Sequence, residues 1–428
     1  MSIKRRDFIK FSAGSAAAGT AMVSGITSFA SVSKNGNNIF DKIKSITNDV
    51  VPISVEERRS RIEKAQKLMA GNNIHALLLD SGTSLVYFTG IQWWPSERTM
   101  VAIIPAKGEV KYVSPAFEAD RLRELIKIGN EVRIWEEDES PYKVIANTLR
   151  DYGIAGGNIG IEERLRFFIY DGVRKEAPAL NFVSGDPVTV PCRMIKSPAE
   201  IALLQKANDI TIAAIKIVAD ELKEGMSNGE VSGLIDQAQR KLGGSSDGAL
   251  VNIGISSALP HGSIKAQHIQ KGDIVLIDCG CRVEGYCSDI TRTFVFGEPT
   301  KRQREIWELE KKAQAAAFAA AKLGQPCENV DMAARKVLTD AGFGPDYKLP
   351  GCPHRTGHGI GMDGHEWGNM VRGNKQPLQT GMCFSVEPTI VIPGEFGIRL
   401  EDCAYMTEDG PQWFTSTKTS GSIDHPFA

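Results

Sequence analysis

The chain has 428 residues, of which 42% are hydrophobic and 24% are charged. This composition supports a buried core, excludes disordered and collagen-like chains, and with this length predicts two or three domains. Lysine and arginine total 50 against 52 acidic residues, a formal charge of −2 at pH 7. A nucleic-acid binder held by counterion release is therefore disfavoured. The eight cysteines are too few for a disulfide scaffold in a chain of this length.

The first thirty residues have the pattern of an export signal. The adjacent Arg5 and Arg6 precede 23 uncharged residues rich in Ala, Ser and Gly. We expect a twin-arginine signal at residues 1–30, cut after Ala30, and therefore recognition by the twin-arginine export machinery and a periplasmic or exported protein. A membrane anchor is the alternative, but the segment is weakly apolar, so we expect no stable anchor after processing.

A polar, turn-rich stretch at residues 31–51 predicts a linker, and residues 52–191 alternate helical and extended patterns. A helix is predicted over 55–71. Strands are predicted at HALLLD, YFTG, TMVAIIP and EVKYVS, which are separated by Gly, Pro and Ser. The first domain is therefore predicted to be α/β.

A second domain is predicted over residues 192–428. Its first helix has Ser197 as the N-cap, Pro198 in the first turn and Glu200 completing a capping box. Another long helix is predicted over 303–324, ending at Gly324 as a left-handed cap.

Two predicted β-hairpins in this second domain each carry a pair of acids. A hairpin centred between Val283 and Glu284 places Asp278 nearly opposite Asp289. A second hairpin, bending at Pro393 and Gly394, places Glu387 opposite Glu401. Like charges facing each other on a sheet repel, so each pair requires protonation or a cation.

A glycine-rich loop between the hairpins, CPHRTGHGIGMDGHEWG, supplies His354, His358 and His365. Four carboxylates and one imidazole form a ligand set that can neutralise two divalent cations. The alternative for any single acid is a solvated strand face. The joint arrangement of two acid pairs and a histidine loop favours two-metal hydrolysis, in which a water between the cations becomes a hydroxide that attacks a carbonyl carbon.

Several stretches resemble, in order and spacing, the pita-bread metallopeptidases, the family of aminopeptidase P, prolidase, methionine aminopeptidase and creatinase. They are SALPHGS, GDIVLIDCG, GYCSDITRTF, TGHGIG, VEPTIV and GIRLED. The segment ALLLDSGTSLVYFTG resembles the amino-terminal domain of the creatinase, prolidase and aminopeptidase P branch. The resemblance implies an α/β (α+β) fold, with a creatinase-like α/β domain before a pita-bread domain built on a curved antiparallel sheet.

The same resemblance implies which residues form the site. The metal ligands would be Asp278, Asp289, His358, Glu387 and Glu401, with Asp289 and Glu401 bridging two ions. Manganese is expected first, with zinc, cobalt or iron as alternatives.

Glu387 is expected to take or relay a proton, and His261, His354 and His365 to bind substrate, stabilise charge and move a proton to the leaving nitrogen. Arg399 lies two residues before Glu401 and either orients that carboxylate or is a surface residue. The implied substrate is a proline-containing peptide, and the implied assembly is a homodimer.

Two other functional classes stay open. One is a hydrolase or lyase of a small non-peptide substrate, similar to ectoine hydrolase or dimethylsulfoniopropionate lyase. Gly280 argues against the lyase, which carries an additional acid two positions after the first ligand. The other is a non-catalytic binding protein, against which the complete ligand set argues. Trp93 and Trp94 are either exposed by chance or part of a substrate wall in a dimer.

Overall fold

The computed structural model describes residues 39–415 and 421–427. The predicted signal at 1–30 and the first part of the predicted linker lie outside the described residues. A 3-10 helix (Ile39–Asp41) belongs to a unit that ends at residue 43, and the chain from residue 44 forms a second unit, described from here on. Among the described residues, no helix is both long enough and apolar enough to cross a bilayer.

The amino-terminal part is built on a six-stranded mixed sheet flanked by helices. Its strands are β1 (Ile74–Leu79), β2 (Val101–Pro105), β3 (Lys111–Pro115), β4 (Glu131–Trp135), β5 (Gly157–Ile161) and β6 (Leu180–Ser184). Its helices are α1 (Val55–Gly71), α2 (Thr83–Thr89), α3 (Ala119–Leu125), α4 (Pro141–Asp151), α5 (Phe167–Glu176) and α6 (Asp186–Met194). The strand order is β4-β3-β2-β1-β5-β6, with β2 antiparallel to both neighbours and the other pairs parallel. The predicted α/β class is confirmed.

The helix predicted over 55–71 is α1, and Ser54 caps it by accepting a hydrogen bond from the Glu57 N–H. The prediction of a strand at YFTG is wrong, because these residues lie at the end of helix α2. Gly90 is the C-cap of that helix and has the left-handed conformation. A short apolar run does not by itself distinguish strand from buried helix. The domain boundary expected at residue 191 falls within α6.

The carboxy-terminal part combines antiparallel strands with four helices, α7 (Pro198–Ala219), α8 (Asn228–Leu242), α9 (Lys301–Ala320) and α10 (Glu328–Asp340). Its strands are β7 (Ser245–Ile253), β8 (Ile274–Val283), β9 (Tyr286–Cys287), β10 (Ile290–Val295), β11 (Gly357–Gly359), β12 (Glu366–Met370), β13 (Cys383–Val386), β14 (Thr389–Ile392), β15 (Phe396–Arg399), β16 (Asp402–Thr407) and β17 (Gly410–Trp413). One sheet has the order β10-β8-β7, with β9 paired to β8. A second has the order β12-β11-β13-β16-β17, and β14 pairs with β15.

Helix α7 begins as predicted, with a complete capping box between Ser197 and Glu200. Helix α9 ends at Ala320, four residues before the predicted stop, and Gly324 instead occupies a left-handed turn after it. On the face of α9 that packs against the sheet, the fully buried Trp307 donates a hydrogen bond from Nε1 to the Thr293 carbonyl at 2.8 Å. Helix and sheet are therefore joined by a polar contact inside an apolar core.

All eight cysteines are free and buried. Burial raises the pKa of each thiol, in the case of Cys383 to about 12. The thiols are therefore protonated at neutral pH and pack as small apolar side chains.

Candidate metal centre

The first acid-bearing hairpin forms, but its turn is centred one residue later than predicted, which shifts the strand pairing by two residues. Glu284 and Gly285 both have positive φ and make a two-residue turn that pairs Val283 with Tyr286. Asp278 therefore pairs with Thr291, and Asp289 lies diagonally across rather than opposite. The pleat still brings both carboxylates to one site, because diagonal neighbours remain within reach of each other.

The second acid-bearing hairpin has the predicted register. Thr389 pairs with Arg399 in β14 and β15, and Val386 pairs with Asp402 in β13 and β16. Glu387 and Glu401 lie in the breaks between these strands. Thr291 bridges to Glu401 across the two sheets, and this bridge brings the two hairpins together.

His358 occupies the centre of the short strand β11, between the hairpins. Its Nδ1 donates to the Gly359 carbonyl at 3.0 Å, which leaves Nε2 directed at the acids. Nε2 lies 3.1 Å from Glu387 and 3.7 Å from Asp289. A backbone carbonyl holding one ring nitrogen of a histidine is the usual arrangement when the other nitrogen is a metal ligand.

These acids and histidines form three overlapping groups whose ligand atoms lie within 4.8 Å of one another. The groups are Asp278, Asp289 and Glu401; His358, Glu387 and Glu401; and Asp289, His358 and His365. All of them line a cleft of about 360 Å³ that also includes Pro260, His261, His354, Arg355 and Arg399. The structure thus brings together all of the residues predicted for the site.

The cationic side chains around this cluster do not neutralise all of its carboxylates, as the raised pKa values of two of them indicate. Burial and the Asp278 charge raise the pKa of Asp289 to about 8. Burial, followed by the charges of Asp289 and Glu387, raises the pKa of Glu401 well above its ordinary value. Oxygen-rich clusters that resist ionisation in this way fit hard or borderline divalent cations, which supply the missing positive charge.

Glu387 has the opposite behaviour. Burial opposes its ionisation, but the hydrogen bond and charge of His358 outweigh burial and lower the pKa of Glu387 to about 2. The pKa of the His358 imidazole is raised by the same contact, against the effect of its own burial. Without a cation, this pair is therefore an ion pair inside the cleft.

Arg399 is buried rather than a surface residue. It donates to Asp278 Oδ2 and, at 3.0 Å, to Thr291 Oγ1, whereas its Nε lies 3.9 Å from the nearest Glu401 oxygen. Arg399 therefore forms an ion pair with Glu401 without a direct hydrogen bond to it, and hydrogen-bonds Asp278 instead. Thr291, which the sequence reading missed, makes that contact by donating to Glu401 Oε2 at 2.6 Å. Its position two residues after Asp289, on the same strand face, was the available signal.

The three other histidines line the cleft at different depths. His354 is half-buried, and its buried Nε2 has no hydrogen-bond partner among the described residues. The His365 ring contacts the His358 ring, with centroids 3.9 Å apart and the planes tilted by 38°, and its Nδ1 accepts a hydrogen bond from Arg355 at 3.1 Å. Burial and the neighbouring His358 charge lower the pKa of His365 to about 4. His261 lies exposed at the mouth of the cleft.

Gly280 faces the backbone of the neighbouring chain segment. A Cβ at this position would lie 2.1 Å from the Ser288 carbonyl oxygen, so no side chain fits without moving the strand. Trp94 is 85% exposed, and Trp93 lies beside Arg121 at 5.4 Å. Neither tryptophan lines the cleft of its own chain.

Comparison with known proteins agrees with this architecture. Residues 202–408 match metallopeptidase family M24, and residues 61–195 match the creatinase/prolidase N-terminal domain. The Xaa-Pro dipeptidase of Lactobacillus helveticus is 33% identical over 361 residues, covering 83% of this chain and 96% of the relative.

Two solved structures are similar over the same region. The dipeptidase of Pyrococcus horikoshii OT3 matches with a TM-score of 0.76 and 31% identity, covering 84% of this chain and 98% of the other. Dipeptidase PepE of Mycobacterium ulcerans matches with a TM-score of 0.79 and 30% identity, covering 86% and 97%. The chain therefore belongs to metallopeptidase family M24 and carries the creatinase/prolidase N-terminal domain that precedes its catalytic domain.

Proposed function

We propose that this metallopeptidase hydrolyses the peptide bond before proline in short peptides, as a prolidase-type Xaa-Pro dipeptidase. The observation that carries the proposal is the set of three overlapping ligand groups that line one cleft, in which Asp289, His358 and Glu401 each belong to two groups. The Lactobacillus helveticus relative is an Xaa-Pro dipeptidase by name, which supports Xaa-Pro dipeptides as the substrate class. An aminopeptidase acting on longer Xaa-Pro peptides is the neighbouring alternative.

The proposed ligands of two divalent ions are Asp278, Asp289, His358, Glu387 and Glu401. When bound, such ions polarise a carbonyl and make water nucleophilic near neutral pH. Manganese is the proposed metal because the ligand set is dominated by carboxylates. Metal analysis of protein purified without added metal, followed by reconstitution with single metals, tests this choice, and maximal activity with zinc would refute it.

The remaining side chains of the cleft suit proton handling and substrate orientation. Glu387, ionised at neutral pH, is placed to accept the proton released by the attacking water. Burial lowers the pKa of His354, so its free Nε2 belongs to a neutral ring that can hydrogen-bond a substrate. His365 is neutral for the same reason and is placed to pass a proton toward the leaving nitrogen. The leaving nitrogen of any peptide bond, that of proline included, must gain a proton when the C–N bond breaks.

The direct test compares Gly-Pro, Arg-Pro-Pro and Gly-Gly as substrates of the metal-loaded protein. We expect cleavage of Gly-Pro, loss of that cleavage on chelation, and recovery when the metal is restored. His358→Ala should lose both bound metal and activity, whereas the matched surface variant Asp340→Asn, whose carboxylate pairs with Lys336 in solvent, should keep both. Cleavage of neither proline peptide with any divalent metal would refute the proposal and favour a small non-peptide substrate.

We also propose that residues 1–30 direct export through the twin-arginine pathway and that the mature protein is a homodimer. The adjacent Arg5 and Arg6 support the first proposal, and the exposed Trp94 supports the second. Replacing both arginines with lysine should retain the protein in the cytoplasm. Export of the double lysine variant would refute the first proposal. Light scattering should give twice the mass of one chain, and a monomer in solution would refute the second.

A further inference from the structure

A buried cluster of four charged side chains lies where the two domains meet. Arg193 donates to Asp363 at 2.6 Å and to Glu366 at 2.7 Å, and Lys196 donates to Glu366 at 2.9 Å. Side-chain exposure is 2% or less for Arg193, Lys196 and Glu366. Both anions are ion-paired, and removing either one would leave a buried cation without one of its partners.

The amino-terminal domain contributes directly to this cluster. Thr83, the first residue of α2, donates from Oγ1 to Asp363 Oδ1 at 2.7 Å. Arg164, from the loop after β5, donates to the same oxygen at 3.1 Å. Asp363 therefore receives hydrogen bonds from Thr83 and Arg164 on one oxygen and from Arg193, in helix α6, on the other, so all three donors belong to the amino-terminal part.

The two anions of the cluster flank a tight loop. Glu366 Oε1 accepts hydrogen bonds from the backbone N–H groups of Met362 and Asp363 at 3.1 and 3.3 Å. Gly361 packs so closely that a Cβ there would lie 2.5 Å from Glu366 Oε2. The Arg282 guanidinium holds the Met362 carbonyl at 2.7 Å. Residues 361–366 are thus wrapped around one buried carboxylate.

His365 is carried by this loop. It lies between Asp363 and Glu366 in the chain, while its own ring is exposed to the cleft and contacts the His358 ring. The His365 side chain has the Arg355 hydrogen bond and this ring contact, and its backbone lies between Asp363 and Glu366, both held by the cluster. A shift of about 1 Å in such a group is enough to lower a catalytic rate substantially.

We propose that the amino-terminal domain positions His365 through this cluster, which makes Asp363 a positioning residue for the peptidase reaction. The inference rests on the proposed function, since it assigns the domain a part in the same site. The domain then acts on catalysis within its own chain, by fixing a loop of the catalytic domain. A cluster that serves stability alone would leave the reactivity of His365 independent of Asp363.

A double-mutant cycle separates these two roles. Asp363→Asn keeps the side-chain size but removes the charge facing Arg193 and Arg164. We expect it to lower kcat/KM for Gly-Pro about tenfold, and to lower it less than twofold when His365→Ala is already present. Thr83→Val removes only the hydroxyl that Thr83 donates to Asp363. It should lower kcat/KM by less than Asp363→Asn does, and this loss should likewise shrink when His365→Ala is present. Asp340→Asn, a solvent-exposed acid, is the control and should change nothing in either background.

Hydrogen exchange supplies a readout that does not depend on activity. In the metal-loaded protein, Asp363→Asn and Thr83→Val should speed exchange in the peptide spanning residues 360–366, with the rest of the catalytic domain unchanged. Equal losses of kcat/KM in both backgrounds, or unchanged exchange at 360–366, would overturn the inference. If Asp363→Asn does not fold, the Thr83→Val cycle decides by the same criteria. A wild-type protein inactive on proline peptides would reject the proposed function, whereas the exchange result would still decide the positioning of the loop.

Discussion

Replacing Glu310 with glutamine should make the protein more stable at neutral pH. Glu310 lies in α9, fully buried, and neither of its carboxyl oxygens has a hydrogen-bond partner among the described residues. Burial raises the pKa of Glu310 well above its ordinary value, although the Arg399 charge acts in the opposite direction. The folded protein therefore holds this side chain as the neutral acid, while the unfolded chain ionises it.

The magnitude follows from linkage. Because the folded pKa is raised, the stabilising contribution of Glu310 is complete below the unfolded pKa of about 4.3 and is lost as pH rises toward the folded pKa. Within that window the loss is about 1.4 kcal/mol per pH unit. Glutamine has the same shape and does not ionise. The free energy of unfolding of Glu310→Gln should therefore exceed that of the wild type by an amount that grows by about 1.4 kcal/mol per pH unit above pH 5. Below pH 4 the two side chains are both neutral, and the difference should be small.

Urea unfolding of the wild type and Glu310→Gln at pH 4, 5, 6 and 7 measures this difference directly, since other titrating groups cancel between the two proteins. Glu308→Gln is the matched control, because Glu308 lies on the same helix but is exposed to solvent. The difference in free energy of unfolding between Glu308→Gln and the wild type should not depend on pH. A flat difference for Glu310→Gln, or a variant less stable than wild type at pH 7, would show that Glu310 is ionised and paired in the folded protein.

Three further outcomes are expected. Chelation should destabilise the protein more at pH 8 than at pH 5, because burial and the Asp278 charge raise the pKa of Asp289 to about 8 in the metal-free site. The stability that the protonated Asp289 contributes below about pH 4 is therefore lost as pH rises through 8. Thermal denaturation would contradict this if the difference in melting temperature with and without chelator were the same at both pH values. Arg399→Lys should weaken metal binding about 10- to 100-fold, because a guanidinium contact to a ligand is lost, and unchanged affinity by calorimetry would count against it. Gly280→Ala should cost about 1–3 kcal/mol in urea unfolding, because its Cβ meets the Ser288 carbonyl, and wild-type stability would show that the strand yields freely.

The two acid-bearing hairpins show what sequence pattern predicts and where it fails. The register that sets Glu387 opposite Glu401 follows from the position of the bend, because Pro393 and Gly394 mark a turn by their own conformational preferences. The other hairpin is shifted because Glu284 takes a positive φ, a conformation that glutamate seldom adopts. Gly285, the second residue of that turn, was the local signal for it, because glycine adopts a positive φ without strain.

Contacts between segments far apart in the sequence could not be predicted from residue spacing. Placing Arg399 on the face of its strand was sound, but its partner Asp278 is 121 residues away and meets it only when the two sheets join. The same holds for Thr83 and Asp363, which are separated by 280 residues and bring two domains together. Periodicity describes one element at a time, whereas these pairs depend on how elements pack.

The interior placement of every cysteine bears on how this chain tolerates air and oxidants. Thiols that stay protonated and shielded react slowly with oxidants or disulfides, so the finished fold needs no reducing surroundings to remain a single species. The unfinished chain has no such protection, since eight accessible thiols can cross-link in many wrong combinations. Sound material therefore depends on completing the fold before the polypeptide meets oxidising conditions, and refolding from denaturant should yield more native protein with a reductant present than without it.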